Sequence, residues 1–293
     1  MKLIRRLIFC TLVVEAVLGL PDPAEAGLIG MSTQTDSLYS IDPSSGATTF
    51  LVKTAGDFAG IGLTYLNGSL YASDLLRYEN GNFPVTGFQV ARVDMANGSV
   101  TAFTLQAGSI NWHGLASDQS TGNMYAIDMD QQNMLMKIDL TGNVRSIGPT
   151  GGPDGRGLVF DPKHRVLYAT SNTNDSLYKI DVNTGASSLI GPLGLDAVFL
   201  DLALDYISGT LYANMITSNG GEGVLYKVNV LTGATTFVGM NNAPFIDGMA
   251  WIPDFYVFAP ISEPRSYAIL LAGLGLLGLI SWRSKQRLDS RLS

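Results

Sequence analysis

From Gly27 to Pro253 the chain alternates apolar and polar residues in short runs separated by glycine, asparagine, aspartate and serine, the pattern of strands joined by tight turns. One phrase recurs: SLYSIDPSSGATTF from Ser37, QVARVDMANGSVTAF from Gln89, MLMKIDLTGNVRSIG from Met134, SLYKIDVNTGASSLIG from Ser176 and VLYKVNVLTGATTFVG from Val224. Asp42, Asp94, Asp139, Asp181 and Asn229 mark equivalent places, 52, 45, 42 and 48 residues apart, a period near 46. Each phrase predicts a hairpin in which Gly46, Gly98, Gly142, Gly185 or Gly233 supplies a positive φ and a Thr- or Ser-rich strand returns. The aspartate ahead of each turn is placed to accept hydrogen bonds from turn amides, a structural role.

A second phrase precedes the first in each period: GLTYLNGSLYASD from Gly62, GLASDQSTGNMYAID from Gly114, GLVFDPKHRVLYATS from Gly157 and DLALDYISGTLYANM from Asp201. Each predicts two further strands, and four strands in about 46 residues make a propeller blade. The chain enters the array at a second strand, because LIGMSTQTDSL at 28–38 aligns without gaps on LYATSNTNDSL at 167–177. It leaves after Gly248-Met249-Ala250-Trp251-Ile252, which matches a first strand and stops at Pro253. The expected fold is all-β, a five-bladed propeller whose closing blade is shared by both ends, which removes an exposed edge. The phrase LY-x-ID-x-x-TG resembles that of NHL-like, YVTN-like and related secreted propellers; the resemblance implies a fold and no activity.

Composition agrees with a turn-rich β protein: 33 glycines and 15% charged residues. Between Gly27 and Pro260 there are 20 Asp and Glu against 10 Lys and Arg, so the domain repels phosphate backbones and a nucleic-acid partner is excluded. Cys10, the one cysteine, lies in the N-terminal apolar segment, so residues 27–256 have neither a disulfide nor a thiolate nucleophile.

Lys2, Arg5 and Arg6, the apolar stretch Leu7 to Leu20 and Ala24-Glu25-Ala26 read as a signal peptide over 1–26, cleaved by signal peptidase after Ala26. The propeller is expected over 27–256 and a linker over 257–266. A membrane helix follows over 267–282, reading YAILLAGLGLLGLISW, and then a basic cytoplasmic tail over 283–293. Sixteen helical residues reach only about 24 Å, short of a hydrocarbon core near 30 Å, which suits a temporary anchor. Glu263-Pro264, the glycine-bearing apolar segment and the terminal Arg and Lys cluster together resemble a PEP-CTERM sorting signal, with Ile261-Ser262 departing from the usual Val-Pro. The resemblance implies that Glu263 and Pro264 are read by an exosortase of a Gram-negative, polysaccharide-producing bacterium. It also implies delivery of the exported chain to the cell envelope or medium.

Candidate chemistry gathers where loops enter the innermost strands: Asp57, His113, Asp154, Arg156, Asp196 and Asp247. Four carboxylates converging on an axis suit Ca2+, the one cofactor the sequence suggests, and Arg156 suits an anionic sugar or carboxylate. A solvated rim of turn-forming aspartates accounts for the same residues. His113 and His164 are too few for a multi-histidine zinc or copper site, and His164 in DPKHR is expected in an exposed turn. Asp128 to Asn133 offers spaced oxygen ligands without the glycine and glutamate of an EF-hand. No nucleophile elbow, P-loop or dinucleotide fingerprint occurs. The favoured reading is a non-enzymatic envelope or matrix protein that binds a glycan, peptide or protein, or serves structurally. The alternative is a secreted hydrolase, lyase or lactonase with an axial cation.

Overall fold

Strand pairing follows the period of the sequence. The computed structural model describes residues 27–55, 60–74, 89–106, 111–129, 133–195, 199–216 and 222–253; these belong to one unit of the chain, Met1–Phe255. The chain begins with β1 (Gly27–Ser32), β2 (Ser37–Ile41) and β3 (Thr48–Lys53). Blade I follows with β4 (Gly60–Leu66), β5 (Ser69–Asp74), β6 (Gln89–Val93) and β7 (Val100–Phe103). Blade II has β8 (Ala116–Asp118), β9 (Asn123–Asp128), β10 (Met134–Ile138) and β11 (Val144–Pro149). Blade III has β12 (Leu158–Asp161), β13 (Val166–Ser171), β14 (Ser176–Asp181) and β15 (Ser187–Pro192). Blade IV has β16 (Phe199–Asp205), β17 (Thr210–Ile216), β18 (Glu222–Val228) and β19 (Thr235–Pro244), and β20 (Ile246–Ile252) ends the ring. Each blade is a four-stranded antiparallel meander, and β20 joins β1, β2 and β3 as the innermost strand of blade V.

The expected five blades and shared closing blade are both present. In blade V the first and second strands have no covalent connection, and Gly27 pairs with Ile252, Leu28 with Trp251 and Met31 with Gly248. The expected signal peptide, linker, membrane helix and basic tail lie outside the described residues. Among the described residues no helix is long and apolar enough to cross a membrane.

Both faces of a blade are covered by its neighbours, so the second strands are buried almost end to end. In β13 Leu167, Tyr168, Ala169, Thr170 and Ser171 are all buried. The four interfaces from blade I to blade V each carry an apolar cluster: Tyr125, Ile127 and Leu135 of blade II pack with Leu158, Phe160 and Leu167 of blade III. Ala203, Tyr212 and Leu225 of blade IV meet Leu28, Ile41 and Met249 of blade V.

The recurrent turn, Asp or Asn followed four residues later by Gly, or three later at Asp139-Gly142, joins third and fourth strands as expected. Asp42 accepts from the Ser44 amide at 2.8 Å, Asp94 from Ala96 at 2.8 Å, Asp139 from Thr141 at 2.8 Å and Asp181 from Asn183 at 2.7 Å. The glycines at 46, 98, 142, 185 and 233 have φ between 72° and 86°. Positive φ is half of the reason for glycine there. A Cβ on Gly185 would run into the backbone of Gly148 in the preceding blade, one on Gly233 into Gly191, and one on Gly46 into Gly239. Gly98 meets Lys53 and Gly142 meets Thr104 in the same way. Each turn thus rests directly on the outer strand of the blade before it.

Two consequences are measurable. Gly185→Ala should combine left-handed strain of about 1–2 kcal/mol with overpacking of about 1–3 kcal/mol. Gly209→Ala, at φ 76° with no atom within 4 Å of the new methyl, should lose only the first; chemical denaturation of the two variants reads the difference. Deleting Gly248 to Ile252 from a fragment spanning Gly27 to Asp254 should lower the melting temperature far beyond the ~2–4 °C that 1 kcal/mol gives in a domain of this size. A shift within that range would mean that β20 does not close the ring.

Candidate functional site

The innermost strands align across the blades from their first residues. Gly62, Gly114, Gly157 and Gly248 are equivalent, and in blade IV the same position is Asp201. Space explains the glycines, because a Cβ on Gly114 would lie 2.8 Å from the Leu158 Cβ of the next blade, and one on Gly157 would lie 3.0 Å from the Asp201 Cα. One residue earlier stand Ile61, His113, Arg156, Leu200 and Asp247, one from each blade. The structure brings His113 and Arg156 together, places Asp247 at the equivalent position of blade V, and puts Asp154 in the loop that leads to Arg156. Asp57 and Asp196 lie outside the described residues.

An Arg156 Nη1 lies 2.9 Å from His113 Nδ1 and 3.3 Å from Nε2. Burial first, and the Arg156 charge second, lower the His113 pKa to about 3, so the imidazole is neutral and serves as a partner for the guanidinium. Asp154 accepts from the Asn172 amide at 3.1 Å, and burial raises its pKa against the pull of that hydrogen bond and of Arg156. Asp247 accepts a hydrogen bond from the Thr33 hydroxyl of its own blade. Among the described residues no three His, Cys, Asp or Glu side chains are arranged to hold a metal ion.

Asp201 takes the space that glycine leaves elsewhere. Its carboxyl is fully buried and accepts from the Leu202 amide at 2.8 Å and from the Met249 amide of blade V. Burial raises its pKa well above the carboxylate range, the Asp247 charge adds to the rise, and the amides of Met249 and Leu202 oppose it. The sequence carried the signal for this residue, an aspartate aligned with four glycines, although Asp201 was not among the expected site residues.

The cavity on the axis opens at the opposite mouth, where the innermost strands end. It has a volume of 440 Å³ and every blade contributes to it. Its inner end is a ring of equivalent residues, Leu63, Leu115, Leu158, Leu202 and Met249, all buried. The next ring on the same strand face is Tyr65, Ser117, Phe160, Leu204 and Trp251. Phe160 stacks on Tyr125 of the preceding blade at 6.0 Å between centroids, and Trp251 on Tyr212 at 6.2 Å, which fixes both rings at the cavity wall. This cavity lies at the other end of the innermost strands from His113 and Arg156, and repeats alone do not reveal the side chains that set its width.

The remaining candidates separate. His164 lies in an exposed turn as expected, with Nδ1 2.7 Å from Asp161. Asp128 is buried at the end of β9, and residues 130–132 of the spaced-oxygen segment lie outside the described residues.

Residues 79–252, more than half of the chain, match a family model described as a repeat of unknown function, DUF6923. No curated protein matches the chain. Among solved structures, a chain of a nidogen/laminin complex is 14% identical with a TM-score of 0.53, over 78% of this chain and 99% of that one. TolB from Acinetobacter baumannii is 12% identical with a TM-score of 0.47, over 79% of this chain and 57% of its own. At these identities the first of them shows the propeller fold and nothing more.

Two of the titratable groups of the entry mouth, His113 and Asp201, pull stability in opposite directions with pH. Folded His113 has lost a proton that the unfolded chain keeps below about 6.5, so its contribution is present above that pH and is lost as pH falls toward about 3. Folded Asp201 keeps a proton that the unfolded chain loses above 3.8, so its contribution is present below that pH and is lost as pH rises. Melting curves between pH 4 and 6.5 should therefore rise more steeply with pH in Asp201→Gly and more shallowly in His113→Gln than in the parent. Parallel curves for all three would refute this assignment.

Proposed function

The chain belongs to the DUF6923 repeat family, which is defined by a repeat and not by an activity, and from that premise we propose an exported, non-enzymatic propeller that binds a ligand in the cell envelope or exopolysaccharide matrix. The observation that carries the binding role is the axial cavity, to which all five blades contribute and which has the size of a small-ligand site. A single ligand there touches the whole ring. Binding also needs no catalytic group: among the described residues of the other mouth, His113 and Arg156 engage one another, and Asp154 and Asp201 engage backbone amides.

Delivery is read from the two ends of the chain. The N-terminal 1–26 segment fits export, and the tail resembling a PEP-CTERM signal fits sorting by an exosortase. Pro264 fixes its own φ and disfavours helix at Glu263, so the pair is suited to an extended stretch ahead of the apolar segment, where a membrane-embedded transpeptidase can reach it. In a host that carries an exosortase, the parent should lose its tail and reach the envelope or medium, whereas Glu263→Ala with Pro264→Ala should remain full-length in the inner membrane. Mass spectrometry of the fractions reads this, and equal mass and location for both would leave an ordinary anchor in place of a sorting signal.

A further inference from the structure

The cavity wall states what it will accept. Of the five equivalent residues in its wide ring, four are large, Tyr65, Phe160, Leu204 and Trp251, and the fifth is Ser117. The open space is therefore a missing ring in a repeated layer. Polar atoms on that side are already engaged: the Thr64 hydroxyl donates to Ser117 Oγ at 2.8 Å, and Ser117 donates to the Tyr65 carbonyl at 2.7 Å. Gln119 Nε2 also donates to the Tyr65 carbonyl, its Oε1 accepts from the Asn67 amide at 3.0 Å, and Ser120 donates to Asp118 at 2.6 Å. A sugar would give up its hydration there to donors already used within the protein, which is costly. An apolar body meets aromatic and aliphatic walls.

The rim has a second preference. In a domain with twice as many acidic as basic residues, the turn that leaves β12 beside the lining residue Pro162 reads Lys163-His164-Arg165. Arg165 lies 3.4 Å from Asp118 and 5.8 Å from the centroid of Phe160, so its guanidinium borders the cavity wall. Lys163 is exposed and has no ion-pair partner among the described residues. On the neighbouring turn of blade IV the lining residue Tyr206 is followed by Ile207, which is 70% exposed. Apolar walls, one basic turn and one apolar turn together describe an amphiphile.

Building on the binding reading above, we infer that the axial cavity takes a small apolar carboxylate, with its ring or hydrocarbon body in the space beside Ser117, between Phe160 and Trp251, and its anionic group against the Lys163 to Arg165 turn. Ser117→Phe closes the cavity with the residue that blade III already carries at this position, and Tyr71 stands where Tyr125 supports Phe160.

Calorimetric titration of the full-length chain in lipid nanodiscs, with empty nanodiscs as background, tests this using naphthoate, the neutral naphthylmethanol and cellobiose. Naphthoate should bind at one saturable site, naphthylmethanol roughly three-fold more weakly, the size of one exposed charge contact, and cellobiose not at all. Ser117→Phe should abolish naphthoate binding, and Lys163→Gln should reduce it to the naphthylmethanol level. Were Ser117→Phe to unfold the ring, Lys163→Gln on its exposed turn still decides. Equal binding of naphthoate and naphthylmethanol, or loss of neither upon substitution, overturns the inference. Binding of cellobiose that Ser117→Phe abolishes would overturn the carboxylate and keep the axial binding site; probes that all ignore Ser117→Phe would overturn both.

Discussion

Backbone resting on backbone is the contact from which the ring is built. At each of five turns a glycine with positive φ lies against the backbone of the preceding blade, too close for a side chain of its own. In blades II, III and IV the surface it meets is itself a glycine, Gly148, Gly191 or Gly239, next to a bulge in the pairing of third and fourth strands. The bulge tilts the outer strand and the missing Cβ opens a seat for the next turn. The apolar clusters between blades can fill only after that spacing is set, since close-packed interiors tolerate little variation in separation.

A repeated layer makes its exceptions visible. Four glycines and Asp201 form one layer of the axis, and the aspartate uses the room that its neighbours leave to hold amides from two adjacent blades. Four large residues and Ser117 form another, and there the exception leaves space. Both are departures from the packing solution that the other blades share, and local rules are most often broken where a protein does something besides fold.

Period, hairpins, blade number and the shared closing blade were all legible in the sequence, because each depends on local pattern: Gly233 after Thr232, Asp181 before its turn, Met249 aligned with Leu202. The meeting of His113 with Arg156 was legible only as proximity. Their neutral-to-charged pairing depends on burial, which no spacing reports. The cavity was not legible. Ser117 looks like any strand serine until Phe160 and Trp251 are seen to occupy its equivalent places, and until Thr64, from a strand more than fifty residues earlier, is seen to donate to it. Asp201 lies between these cases, visible in the alignment of phrases and interpretable only with its partners.

The closing blade also fixes how the molecule answers to force. Gly27 and Ile252 are direct partners at one end of the β1 and β20 pair, so the chain enters and leaves the ring side by side. Tension between those two points acts across the ladder and not along it. The pairs would part in sequence, beginning with Gly27 and Ile252, as a zip opens, and each step would load only the next pair. A tether on one side alone leaves that seam unloaded, whereas holding both ends would place all the strain on the one joint of the ring that no turn secures.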